Sequence, residues 1–118
     1  MPSRRINALF VCNRNRWRSP TAEQIWRDSA WVDVRARGLS RKAELVISEG
    51  DVSWADVIFV MERRHQGQLI ARFRDLVNRD RLHVLDIPDE YQFMDPDLIE
   101  ELRSRAGWIL DRMLEDAD

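Results

Sequence analysis

The chain has 118 residues, 44% of them hydrophobic and 34% charged, with a formal net charge of −2. That length fits one domain with a single core, and the near-neutral balance points away from a nucleic-acid binder. A lone cysteine excludes an internal disulfide and a multi-thiolate zinc site.

The basic start, Met1-Pro-Ser-Arg-Arg, precedes an apolar run too short for a secretory core or a membrane span, so a cytoplasmic protein with a free thiol and no membrane partner is expected. Ile6–Cys12 is mostly apolar and reads as a buried parallel strand. Pro20 to Ala30 reads as a helix, with proline at the first helical position and Ala22, Ile25 and Trp26 on one face. Val32-Asp-Val-Arg-Ala alternates toward Gly38 as a short strand, residues 39–50 are ambiguous, and Asp51 fits the cap of a helical turn running to Trp54. Val57–Met61 is the clearest strand. Glu62 to Val77 is helical by period, Leu82–Leu85 is a fourth strand, and Asp86 to Met94 is an irregular loop holding Pro88. Asp95-Pro96 opens a last helix whose apolar stripe runs from Leu98 to Leu114. The pattern predicts one α/β domain over residues 1–118, a four-stranded parallel sheet flanked by helices on both faces. Ligands of such sheets gather at the carboxyl ends of the strands, where the loops after Cys12 and Leu85 both open.

The chemistry concentrates after the first strand. A thiol at a strand end, followed by a loop that runs into a helix N-terminus, meets converging backbone N–H groups and the positive end of the helix dipole. Such surroundings bind anions and favour a thiolate. Arg18, six residues after Cys12, carries a planar fork able to hold two oxygens of a phosphate. A thiolate beneath a cradled phosphorus atom is a nucleophile for phosphoryl transfer. The C-x5-R spacing alone is weak in a chain where 18 of the 19 basic residues are arginine. The adjoining Ser19, the preceding strand, the following helix and a carboxylate loop on the same edge sharpen it.

Val11-Cys12-Asn-Arg-Asn15-Arg-Trp-Arg18-Ser19-Pro20-Thr-Ala-Glu23 resembles the signature V-C-x-G-N-x-C-R-S-P-x-A-E of the low-molecular-weight protein tyrosine phosphatases. Trp54–Met61 is similar to that family's third-strand segment, and Asp86-Ile-Pro-Asp89-Glu-Tyr91 to its acid loop. The resemblance spans nearly the whole chain. It implies that family's fold and a dephosphorylation without metal or cofactor, through a phosphocysteine, with a phosphotyrosine protein or small aryl phosphate as substrate and phosphate as product or inhibitor. By position it makes Cys12 the nucleophile, Arg18 the phosphoryl-binding residue and Asp89 the general acid and base. Ser19 would hydrogen-bond the sulfur, Asn15 would brace the loop, and Tyr91 would wall the slot. Asn13, Arg14, Arg16 and Trp17 complete the phosphate loop.

Three positions depart from the pattern. Arg14 replaces a glycine, and a positive φ there would strain it. Trp17 replaces a second cysteine, which removes any disulfide between loop thiols and argues against related thioredoxin-coupled arsenate reductases. Glu90 replaces the proline after the acid. Most of the length missing relative to typical members falls after the second strand. Asp95-Pro96 rivals Asp89 as the acid, but a helix N-cap explains Asp95, and Asp86 ranks third. Arg14 and Arg16 read equally well as solvated charges or as steering groups for anions. Tyr91 and Trp17 are expected at the slot rather than in the core, while His65 and His83 lack partners at metal spacing and read as structural or solvated. Two other functions fit less well: a phosphocysteine carrier, which Arg18 and Asp89 oppose because they promote hydrolysis, and a non-catalytic phosphate- or phosphotyrosine-binding module.

Overall fold

The computed structural model describes residues 5–116, so the first four residues of the basic start, and residues 117–118, lie outside the described residues. Strand β1 (Ile6–Cys12) is buried at six of its seven positions. An apolar run of that kind needs cover on both faces, and it takes the interior of the sheet. With β2 (Val32–Gly38), β3 (Val57–Val60) and β4 (Leu82–Val84) it forms a four-stranded parallel sheet in the order β2-β1-β3-β4.

Side-chain alternation along β1 divides the core in two. Ala8, Phe10 and Cys12 join Phe59 and Met61 beneath α1 (Arg18–Trp26) and α4 (Pro96–Asp116). Leu9 and Val11 join Ile58 and Val60 beneath α2 (Glu49–Trp54) and α3 (Arg63–Arg72). The Phe10 ring anchors the first half, stacked 5.3 Å from Trp26 and 4.9 Å from Phe59 between ring centroids.

Several boundaries differ from the sequence expectation. Helix α1 begins at Arg18, so proline occupies its third position, and it ends at Trp26. Ser48, not Asp51, caps α2: its hydroxyl accepts the Asp51 N–H at 3.3 Å while the Asp51 carboxylate accepts the Ser48 N–H at 3.0 Å. This reciprocal capping box satisfies two donors, so a serine three residues upstream outcompetes the aspartate. Helix α3 stops at Arg72 rather than near Val77.

The topology positions the site. The chain leaves β1 toward β2 on one side and returns to β3 on the other. The loops after β1 and β3 therefore diverge at their carboxyl ends and leave a crevice between them. Cys12, the last residue of β1, pairs in register with Gly38, the last of β2.

Candidate active site

Residues 13–17 fold as a loop over the buried Cys12. The turn is made by Asn15, whose φ is 55°, whereas Arg14 has no positive φ. Asparagine tolerates the left-handed region better than other non-glycine residues. Arginine in the glycine's place therefore carries no left-handed strain. The Asn15 turn aims its amide inward, and that N–H donates to Cys12 Sγ at 3.2 Å. The chain after β2 clamps the loop from outside: the Leu39 N–H donates to the Cys12 carbonyl at 3.0 Å and the Ser40 N–H to the Asn13 carbonyl at 2.9 Å. Gly38 permits this approach, since a Cβ there would meet the Asn13 carbonyl at 2.7 Å and collide with the Ala43 Cβ.

Arg18 heads α1 and is 3% exposed. Its Nη1 donates to Glu62 Oε2 at 2.7 Å and to the Ile87 carbonyl at 2.9 Å, and its Nε lies 3.7 Å from Asp89 Oδ1. Cys12, Asn13, Arg14, Arg16, Trp17, Arg18 and Asp89 line one pocket of about 230 Å³. Asp89 reaches it because the loop after β4 is pinned close by. The Ile87 N–H donates to the Met61 carbonyl at 2.9 Å, and Arg105 of α4 donates to the Leu85 carbonyl at 2.7 Å. Asp95 does not line this pocket. Its carboxylate accepts the Asp97 N–H at 2.9 Å, as the N-cap of α4.

Three residues expected at the phosphate do not line the pocket. Asn15 contributes its backbone, with its side chain buried. Ser19 makes no hydrogen bond to the sulfur: the helix has already begun, its hydroxyl is fully buried without a partner, and the Asn15 amide is the donor instead. Tyr91 packs half-buried against the α1/α4 half of the core rather than walling the slot, because that apolar cluster offers its ring more cover than the open pocket mouth.

The residue that sequence reasoning missed is Glu62, the N-cap of α3. Its carboxylate also accepts from Arg64 at 3.1 Å. Burial pushes its pKa up, but the hydrogen bonds from Arg18 and Arg64 outweigh this and hold it below the ordinary value. The available signal was its place directly after the clearest strand, on the same carboxyl edge as Cys12. Beside it, buried His65 accepts the Glu62 N–H at Nδ1 at 3.1 Å. Burial, with the Arg18 charge nearby, lowers the His65 pKa to about 4, so the ring is neutral with its proton on Nε2. Among the described residues no group of three or more His, Cys, Asp or Glu is placed to hold a metal. Nor is any helix there long and apolar enough to cross a membrane.

No family model matches the sequence, and no curated protein matches it. Solved structures do. The low-molecular-weight phosphotyrosine phosphatase VcLMWPTP-2 from Vibrio cholerae O395 superposes with a TM-score of 0.69 at 21% identity, over 94% of this chain and 98% of that one. The tyrosine phosphatase Wzb from Escherichia coli K30, in complex with phosphate, gives 0.70 at 17% identity, over 90% and 96%. The arginine phosphatase YwlE from Geobacillus stearothermophilus gives 0.68 at 19% identity, over 94% and 92%. The chain therefore has the fold of the low-molecular-weight phosphotyrosine phosphatases.

Proposed function

We propose that the chain is a cysteine-dependent phosphomonoester hydrolase of that family, acting on protein phosphotyrosine or a small aryl phosphate. The observation that carries this reading is a single pocket lined by a thiol, a buried arginine and an exposed carboxylate, at the divergence of the sheet's loops. In this mechanism the Cys12 thiolate attacks phosphorus and the bond to the leaving oxygen breaks. That oxygen takes a proton from Asp89. Arg18 holds two of the remaining phosphoryl oxygens as charge develops on them. Water then attacks the phosphocysteine, gives its proton to Asp89, and phosphate leaves as the thiolate re-forms.

Substrate class needs its own argument, because solved neighbours include a tyrosine phosphatase and an arginine phosphatase. The exposed Trp17 forms part of the pocket wall, with the Arg16 guanidinium 5.3 Å from its ring centroid. An indole face suits an aryl group, and two arginines at the mouth suit a dianion better than a cationic side chain. The test is steady-state hydrolysis of p-nitrophenyl phosphate, phosphotyrosine and phosphoarginine at mildly acid to neutral pH. Turnover of the two aryl phosphates over phosphoarginine is expected. Preference for phosphoarginine reassigns the substrate. Binding of phosphate with no turnover of any of the three leaves a carrier or a binding module.

A further inference from the structure

We propose that Glu62 is a positioning residue which selects the edge of the Arg18 guanidinium that meets the phosphoryl group; the proposal rests on the hydrolase reading above. A guanidinium offers two edges for bidentate binding, the end formed by Nη1 and Nη2 and the side formed by Nε and Nη2. Nη1 carries two hydrogens, and both are used: one goes to Glu62 Oε2 at 2.7 Å, the other to the Ile87 carbonyl at 2.9 Å. The end-on edge is therefore closed to a ligand. The side-on edge remains, and it belongs to the pocket, since Asp89 of the pocket wall approaches Nε at 3.7 Å.

Both acceptors lie outside the cysteine loop, one after β3 and one after β4, so they hold the guanidinium from across the crevice. The Ile87 carbonyl alone leaves the second Nη1 hydrogen without its acceptor and the group free to turn about its long side chain. Glu62 supplies the second fixed point, and it is itself well held. It caps α3, its N–H donates to His65 Nδ1 at 3.1 Å, and its carboxylate accepts from Arg64 at 3.1 Å. The buried His65 Nε2 lies 3.6 Å from the same Oε2 and makes no hydrogen bond among the described residues. Glu62 also opposes phosphate electrostatically, because it neutralises the cation that phosphate needs. Removing the charge and removing the geometry thus push affinity in opposite directions, which makes the two roles separable.

Three variants are compared in the full-length chain: Glu62→Gln, which keeps the reach and an acceptor oxygen; Glu62→Asp, which keeps the charge but shortens the reach; and Glu62→Ala, which keeps neither. The readouts are kcat and KM for p-nitrophenyl phosphate, the dissociation constant of inorganic phosphate by calorimetry, and thermal unfolding. The Gln variant is expected to stay within about threefold of wild type in kcat and to bind phosphate as tightly or more tightly. The Asp and Ala variants are expected to lose about tenfold or more in kcat and to bind phosphate more weakly. Gln and Ala behaving alike, or Ala within about threefold of wild type, overturns the proposal. Should Ala fail to fold, the contrast of Gln with Asp decides by the same criteria. Weakened phosphate binding in the Asp variant supports the positioning role even if wild type hydrolyses nothing, an outcome that removes the hydrolase reading alone.

Discussion

Two hollows at opposite edges of the sheet differ in size and in chemistry. At the amino edge a hollow of about 370 Å³ is bordered by Asp56, Asp80 and Asp116 with Arg81 and His83. At the carboxyl edge the pocket over Cys12 is smaller, about 230 Å³. The amino-edge hollow is the roomier of the two but is lined by no thiol or hydroxyl among the described residues, and its backbone donors are committed: the Asn7 N–H donates to the Asp56 carboxylate at 2.9 Å, and the Asp56 N–H to the Asn7 carbonyl at 2.8 Å. At the carboxyl edge an amide points at sulfur and a guanidinium keeps one edge in reserve. Donors converging on a thiol, with one guanidinium edge turned to the pocket, mark the site here, and volume does not.

The largest expected effect breaks the comparison most directly. Cys12→Ser should abolish turnover, by at least about 10³-fold, because a serine hydroxyl at this position lacks the thiolate's nucleophilicity, while leaving phosphate binding largely intact. Its counterpart, Asp56→Asn at the opposite edge, should lower stability by about 1 kcal/mol and leave kcat/KM within about twofold. Kinetics and chemical denaturation of the pair decide the matter. Substantial activity in the serine variant, or a kinetic defect in the Asp56 variant, dissolves the distinction between the edges.

Next in size is Arg18→Lys. Lysine keeps the charge but has no side-on edge, so turnover should fall by about 10²-fold or more, about 3 kcal/mol of transition-state stabilisation. A loss under about threefold assigns Arg18 to structure alone.

Two carboxylates, Asp89 in the acid loop and Asp95 at the start of α4, sharpen the comparison within one edge. A general acid matters most when the leaving group is poor. Asp89→Asn should therefore slow phosphotyrosine hydrolysis by about 10²-fold, slow p-nitrophenyl phosphate hydrolysis much less, and flatten the basic limb of the pH–rate profile. Asp95→Asn keeps a good N-cap and should do neither. Leaving-group dependence at Asp95 instead would reassign the acid.

The histidine beneath the site gives a stability effect with a definite sign. The folded-state pKa of His65 is lowered from 6.5 to about 4, so the unfolded chain binds a proton that the folded chain refuses. Stability from this group is complete above pH 6.5 and declines as the pH falls from there toward about 4. Replacing His65 by asparagine removes the titration. The pH dependence of unfolding free energy, wild type minus variant, should then slope by up to about 1.4 kcal/mol per pH unit within that window. Parallel curves would show that His65 is not held neutral.

Much of this was legible in the sequence where one residue type carries one physical demand. The apolar run of β1, the Asp95-Pro96 helix start and the thiol-to-arginine spacing each point one way, and β1, α4 and the pocket lined by both Cys12 and Arg18 follow them. What escaped depends on contacts between distant segments. Glu62 pairs with Arg18 across 44 positions, and Ile87 across 69, so nothing local announces either. The strain that a positive φ would bring to Arg14 is absent because the left-handed turn falls on Asn15, a one-residue shift that spacing cannot resolve. The resemblance puts Tyr91 at the slot, whereas its ring packs against the α1/α4 half of the core, a tertiary choice that no local signal announces.

The smallest effect belongs to the rim. Arg14 and Arg16 are exposed and make no ion pair among the described residues, unlike Arg18, whose charge is met by Glu62. An unpaired surface cation acts on an anion through solvent, where each is worth about 0.2–1 kcal/mol and is screened beyond about 10 Å at 0.1 M salt. The double variant Arg14→Ala with Arg16→Ala should then raise KM for phosphotyrosine only about three- to fivefold at low salt, with kcat unchanged. The gap between wild type and variant should close as ionic strength rises toward about 0.5 M, because screening removes what the mutation removes. A salt-independent loss, or a fall in kcat, would mean that these side chains shape the loop rather than steer the substrate. The two arginines would then belong with Gly38 and Asn15, as residues that hold the loop in place.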